Sequence, residues 1–456
     1  MRGALHVDGA EVDPGFLSAL VDQVCFAAER AGAGADAGIE VPHRDGLPVV
    51  VATLAAERLG AVLVLGGPTS GRPGASIPAA ARVVPSPEGC AVVPMAATPA
   101  GPRAGRQDGG YCFFTSGSEG EAKAVLLGAT AIRYQRTATR ERLGFDDGDA
   151  LLLPLPAIHA YGFSVLQQWV AGGPALHLES RFGTALVAER MRRHMITCLD
   201  GVPSMYRALL ARAGHDPELR AALGRLRVRG CGGDILATRL QAEFTDVVGG
   251  PIHDGYGLTE AGPNVALNAP GDFAPGTVGR PLDGTELRAG PGGEILVRSP
   301  SVMTGYLGAP EATEAAFLDG WLRTGDTGSV LPSGRLVVTG RIREAVIVHG
   351  RTHAPADLEE ALTAQPAIAE AAVVGVPGTG DRGDQTVAFL VMSPQRPGRD
   401  LAALAVAACR AALPPELRPR RIHHVDALPR LPSGKLDRRA IRALAGTHTT
   451  TADPRP

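Results

Sequence analysis

Between residues 110 and 340, short apolar runs alternate with longer amphipathic ones. YCFFTS, ALLLPLP, PALHLES and RLRVRGCGG are compact apolar runs bounded by turn formers, which predicts buried strands. TAIRYQRTATRERLG, FGTALVAERMRRHM and ATRLQAEFTDVVGG space their apolar residues at helical intervals, which predicts amphipathic helices. Strands alternating with helices predict an α/β fold with a largely parallel sheet. From about Asp272 the chain turns to short strands punctuated by glycine and proline, as in GTVGRPLDGTELRAGPGGEILVRSP, and a β-rich subdomain is expected there. Beyond VVTGRIRE, a compact segment combines strand-like AVIVHG, EAAVVGV and TVAFLVM with helix-like ADLEEALTAQ. The most apolar stretch, LPVVVATLAAERLGAVLVLGG, is interrupted by Glu57 and Arg58, so it predicts a core helix and a strand rather than a membrane span. The tail GTHTTTADPRP is polar and expected to be disordered.

Composition narrows the functional classes. A chain of 456 residues suggests about two to four domains. Its formal net charge of -2 argues against a general nucleic-acid or polyanion binder. The start, MRGALHVDGAEVD, has no apolar core of a signal peptide. Six scattered cysteines without a C-x-x-C pair read as reduced core residues, and a cytoplasmic location is expected. One bias is sharper: of 45 basic residues only two are lysine, Lys123 and Lys435. In so arginine-rich a chain, lysine persists best where a compact point charge is needed and a wide guanidinium does not serve.

Lys123 closes the stretch TSGSEGEAK, and Lys435 lies in LPSGKLDR. The first is strand, hydroxyl-and-glycine loop, lysine, strand. Glycines let backbone N–H groups turn inward on an anion and hydroxyls add donors, so the loop reads either as a phosphate cradle or as a plain polar turn. The Walker A spacing is absent.

Seven stretches in order, spanning residues 110 to 440, resemble the adenylate-forming (AMP-binding) superfamily of acyl-CoA synthetases, peptide-synthetase adenylation domains and fatty acyl-AMP ligases. TSGSEGEAK is similar to the family's phosphate loop. LPLPAIHAYGF is similar to the segment beside the acid pocket, and CGGD to the glycine turn that packs on adenine. DGYGLTEAG and GWLRTGDTG match the Y-G-x-T-E and T-G-D motifs. TGRIREAVIVHGRTHAPADLEEAL resembles the hinge with the start of a small domain, and LPRLPSGKLDR the C-terminal lysine motif.

The resemblance implies a fold, a reaction and a set of roles. The fold is a large N-terminal domain, residues 1–340, of layered parallel-type sheets and helices with a β-rich subdomain. A small mobile α+β domain, residues 344–456, follows a hinge at Arg343. The reaction is activation of a carboxylic acid by ATP and Mg2+ to acyl-AMP, then transfer to a thiol of CoA or of an acyl carrier protein supplied in trans. Thr115, Ser116, Gly117, Ser118, Gly120 and Lys123 would hold phosphates. Gly232, Gly233, Asp254 and Tyr256 would frame adenine, and Gly257 and Thr259 would belong to the same ATP site. Asp326 would take the ribose hydroxyls, and Arg341 the ribose or a phosphate. Glu260 would bind Mg2+, Lys435 would bridge carboxylate and α-phosphate, and His159 would gate the acid pocket.

IHAYGF offers no Asp for an α-ammonium, so a fatty or aryl acid is expected rather than an ordinary α-amino acid. GRTHAPADLEE favours the fatty acyl-AMP ligases, and PPELRPRRIHHVD, with Arg418, Arg420 and Arg421, is a candidate carrier-docking patch. Two positions depart from the family pattern, with Glu119 and Ala122 standing where Thr and Pro are usual. Glu119 points away from the triphosphate, repels it, or helps bind a second cation. The alternative reading is a non-catalytic, nucleotide-binding regulatory homologue.

Overall fold

The computed structural model describes residues 2–34, 37–42, 46–66, 79–87, 89–95, 109–115, 123–349, 351–377, 384–393, 400–431 and 435–447. Two large sheets form the body of the N-terminal part. The first has nine strands in the order Arg280–Pro281, Asn264–Leu267, His253–Gly257, Val228–Cys231, Cys198–Gly201, Ala150–Leu153, Ala175–Leu178, Leu5–Val7, Ala10–Glu11. Its middle is parallel and its ends are antiparallel. The second has seven strands, with Val62–Leu65 and Gly110–Thr115 at its centre.

The central strands of both sheets are buried on both faces, which explains why they read as unbroken apolar runs. Leu151 and Leu153 enter the main core between the sheets, while Leu152 faces a second core under the helices Pro203–Ala213 and Thr238–Val248. Leu63 and Leu65 join the main core, and Val62 and Val64 point the other way. The stretch broken by Glu57 and Arg58 is the helix Leu47–Leu59 followed by Val62–Leu65, as its pattern predicts. The helix ends at Gly60, whose φ of 59° is the left-handed cap a glycine accepts without strain. Among the described residues, no helix is long and apolar enough to cross a membrane.

The region after Asp272 is β-rich, as expected. A five-stranded sheet forms there, built on Glu294–Arg298, Trp321–Val330 and Leu336–Arg341. Two short strands nevertheless leave it. Arg280–Pro281 extends the nine-stranded sheet, and Gly305–Tyr306 pairs with Lys123–Gly128 at the edge of the seven-stranded one. The β-rich segment therefore stitches three sheets together.

From Leu336–Arg341 the chain passes through a short 3-10 turn, Ile342–Glu344, into the small C-terminal part. Its three-stranded sheet alternates strictly. Val373, Ala388 and Leu390 face the core under Pro355–Thr363 and Leu401–Ala412, and Val374, Val387 and Phe389 face Arg438–Thr447. All six cysteines are buried and none forms a disulfide, consistent with reduced core residues.

Candidate active site

The family-like motifs converge where strand ends of the nine-stranded sheet meet the small domain. Val228–Cys231 runs into the turn at Gly232 and Gly233. Gly233 has φ +85°, and a Cβ there would stand 2.8 Å from Lys435 Cε. A side chain at this turn would therefore evict the lysine. Lys435 lies far along the chain, and its ammonium sits among Asp234, Arg341 and Asp326. Burial lowers its pKa; Asp234 and Asp326 oppose that shift and Arg341 adds to it. His159 immediately precedes the helix Ala160–Val170, and lost hydration and then the charge of Lys435 hold its imidazole below the ordinary value. The neutral form of His159 is thereby favoured.

Asp326 is 4% exposed, and both its oxygens are engaged. Tyr256 Oη donates to one at 2.8 Å and Arg341 Nε reaches the other at 2.9 Å. Burial raises its pKa, against Arg341 and Tyr256. Tyr256 and Asp254 lie on the strand His253–Gly257, and burial pushes the Asp254 carboxyl well above the usual range. At Gly257 a Cβ would overlap the carbonyl oxygen of Pro263, so only glycine lets the chain fold back there. Thr259 and Glu260 follow in a one-turn 3-10 helix.

Glu260 Oε1 accepts from Tyr306 Oη at 2.9 Å, and Lys123 Nζ lies 4.9 Å from the centre of the same tyrosine ring. Tyr306 thus ties the candidate metal carboxylate to the loop lysine. Thr115 and Lys123 are register partners at the mouth of a β-hairpin, and Thr115 Oγ1 donates to the Lys123 carbonyl at 3.4 Å. Ser116, Gly117, Ser118, Gly120, Glu119 and Ala122 lie outside the described residues.

The structure thus brings Lys435, His159, Gly232, Gly233, Asp326, Tyr256 and Arg341 to one centre, with Glu260 and Lys123 joined through Tyr306. The proposed carrier patch is smaller than expected. Arg418 donates to the carbonyls of Leu413 at 3.0 Å and Arg410 at 3.2 Å, closing the end of the helix Leu401–Ala412 instead of facing a partner. Sequence reading missed Tyr306, Asp234, Tyr161 and Asp200. Asp234 stood in the quoted CGGD. Asp200 carried a weak signal as a lone charge in the apolar run TCLDGV.

Residues 75–307 match the family model described as AMP-binding enzyme, and residues 357–435 the model of its C-terminal domain. The 2-succinylbenzoate–CoA ligase of Bacillus pumilus is 32% identical over 344 residues, 73% of this chain and 68% of that one. The fatty acid–(acyl-carrier-protein) ligase ScoC of Streptomyces coeruleorubidus is 32% identical over 72% of this chain and 66% of that one. ATP-bound MatB from Rhodopseudomonas palustris has the same fold, with a TM-score of 0.81 at 24% identity over 97% of this chain and 96% of that one. On these matches, this chain belongs to the AMP-binding enzyme family.

Proposed function

We propose that the protein is an acid-activating ligase, which joins a carboxylic acid to the α-phosphate of ATP, releases pyrophosphate, and passes the acyl group to a thiol. The observation that carries the reading is Lys435, seated against Gly233 beside Asp234, Arg341 and Asp326. The reaction brings two anions together, so the site must neutralise charge and fix geometry. Lys435 holds a positive charge where negative charge grows on the α-phosphate oxygens. Lys123 and the loop around Ser116, Gly117, Ser118 and Gly120 hold the terminal phosphates. Asp326 binds the ribose hydroxyls by trading hydrogen bonds with Tyr256 and Arg341. Neutral His159 stands at the mouth of the acid pocket.

Glu260 fits a Mg2+ site: its carboxylate supplies the hard oxygen that Mg2+ prefers, and Tyr306 fixes its orientation. Mg2+ held there would offset charge on the phosphate oxygens. The hinge is placed at Arg343, between residues 1–340 and 344–456. The acceptor is a phosphopantetheine thiol on a carrier protein in trans, with CoA as the alternative. The sequence GRTHAPADLEE supports the carrier, and the relatives include ligases of both kinds.

Acid-dependent exchange of pyrophosphate into ATP tests the reading, using a panel of fatty and aryl acids. Exchange with at least one acid is expected. ATP binding without exchange for any acid would instead favour the regulatory homologue. Incubation of an exchanged acid with CoA, and separately with phosphopantetheinylated carrier protein, decides the acceptor.

A further inference from the structure

We propose that Asp200 and Tyr161 form the far end of the acid pocket and select an acid carrying an amine or a hydroxyl remote from its carboxylate. This rests on the acid-activation reading above and specifies its substrate class.

Three side chains lie in a row along the end of one strand. The Asp200 carboxylate lies against Gly230, the Tyr161 ring is 3.5 Å from where a Cβ on Gly232 would stand, and Lys435 rests on Gly233. Tyr161 reaches both of the first two positions, its Oη 3.5 Å from where a Cβ on Gly230 would stand, so it bridges Asp200 to the turn that holds Lys435. Lys435 marks the reacting carboxylate. Chain from Gly230 to Gly233 spans at most about 10 Å, which sets how far from that carboxylate Asp200 can sit. That bound leaves room for an aryl or medium-length acid between Lys435 and Asp200.

Asp200 lies on the strand Cys198–Gly201 and is 5% exposed. Cys198, Leu151, Leu153 and Val228, which share its side of the sheet, belong to the main apolar core. Tyr161 Oη donates to Oδ1 at 2.9 Å. Among the described residues, Oδ2 has no hydrogen-bond partner, although it is buried. A buried carboxylate oxygen without a donor is costly, and an unsatisfied group of this kind calls for a specific explanation. A donor on the substrate supplies one. Burial, against the Tyr161 hydrogen bond, pushes Asp200 up to about 6, so it is largely ionised near neutrality and can pair with an ammonium or accept from a hydroxyl. The missing Asp in IHAYGF and the presence of Asp200 thus move the donor site from the α-carbon to the opposite end of the acid.

Matched acids of equal size test this: para-amino-, para-hydroxy- and para-methylbenzoate, with straight-chain acids ending in the same three groups. Each is measured by pyrophosphate exchange and by calorimetric binding with ATP present. The wild type should favour a donor-bearing acid over its methyl partner by about 100-fold or more in kcat/KM, as expected of a site built to hydrogen-bond its substrate. The amino and hydroxyl arms tell which donor is taken. Asp200→Ala should lower kcat/KM for the donor-bearing acids far more than for the methyl acid and so collapse that ratio, and thermal melting checks that it folds. Asp200→Asn, of nearly the same shape, should lose the amine preference first. Equal use of all three groups by the wild type, or equal loss for all three in the variants, overturns the proposal and leaves acid activation standing. Discriminating binding without exchange for any acid supports the pocket and counts against the ligase reading instead.

Discussion

Lys435 holds its charge where water is scarce, and burial lowers its pKa from the ordinary lysine value of 10.5. If the charged form is what stabilises the transition state, exchange must fall as pH rises through that lowered pKa. The alkaline limb should then lie below the one an ordinary lysine gives. Lys435→Ala should cut acid-dependent exchange by about 10²–10³, the cost of one preorganised donor, and leave melting unchanged. Near-normal exchange in that variant would remove Lys435 from the mechanism. A second residue-scale outcome concerns a cluster of three histidine rings, two stacked and the third tilted against them. His177 lies face to face with His6, centroids 4.2 Å apart at 4°, with His194 4.4 Å away. Burial, then the charges of His6 and His194, push His177 down to about 3. The unfolded chain therefore binds more protons there than the folded one. Stability is full above the ordinary value of 6.5 and is lost as pH falls from there towards 3, by at most about 1.4 kcal/mol per pH unit for one group. Denaturant midpoints followed from neutrality down to about pH 4 should fall less steeply in His177→Leu; an unchanged slope would exonerate the stack. At this scale Lys435 was legible because lysine is so scarce in the chain. Asp200 was not, because a single sequence does not say which face of a strand looks into a pocket.

Elements were legible where both faces of a strand or one face of a helix is apolar over several residues. Ala150–Leu153 and Thr184–Arg193 are examples. The two-residue strands Arg280–Pro281 and Gly305–Tyr306 were not, since two residues carry no period and only their partner strands define them. The first is held by an ionic hub that local sequence does not announce. Arg142 of the helix Ala129–Leu143 reaches Asp272 at 2.8 Å and Arg280 reaches it at 3.2 Å, with Arg335 as a third partner. Partial burial pushes the Asp272 carboxyl up, but Arg142, then Arg335 and Arg280, outweigh it and hold the pKa below the usual 3.8. Its contribution is thus full above 3.8 and is lost as pH falls further. Asp272→Ala leaves three cations facing one another, and a loss of about 1–3 kcal/mol is expected in denaturant unfolding at neutral pH. A loss within about 0.5 kcal/mol would mean that the arginines find water instead.

For the molecule as a whole, the resemblance implies that the small domain turns between the two half-reactions, so contacts that exist in only one arrangement set the balance. Two such contacts lie away from the reaction centre. The helix Thr238–Val248 begins after Ala237 and has no side-chain cap of its own. Glu360 of the small domain supplies one, accepting from the Thr238 N–H at 3.0 Å. A carboxylate there also meets the positive end of the helix dipole. Arg239 beside it donates to the Thr363 carbonyl. These bonds join the two parts in the arrangement that seats Lys435, and a turn of the small domain would break them. Glu360→Ala should therefore remove about 1 kcal/mol from this arrangement alone, about a fivefold shift in its population. Pyrophosphate exchange should slow by about 3–10-fold, while transfer of the acyl group from preformed acyl-AMP to the thiol should hold steady or quicken. Single-turnover measurements of each half-reaction separate the two. An equal fall in both would show that Glu360 supports the fold of its helix, not the choice between arrangements.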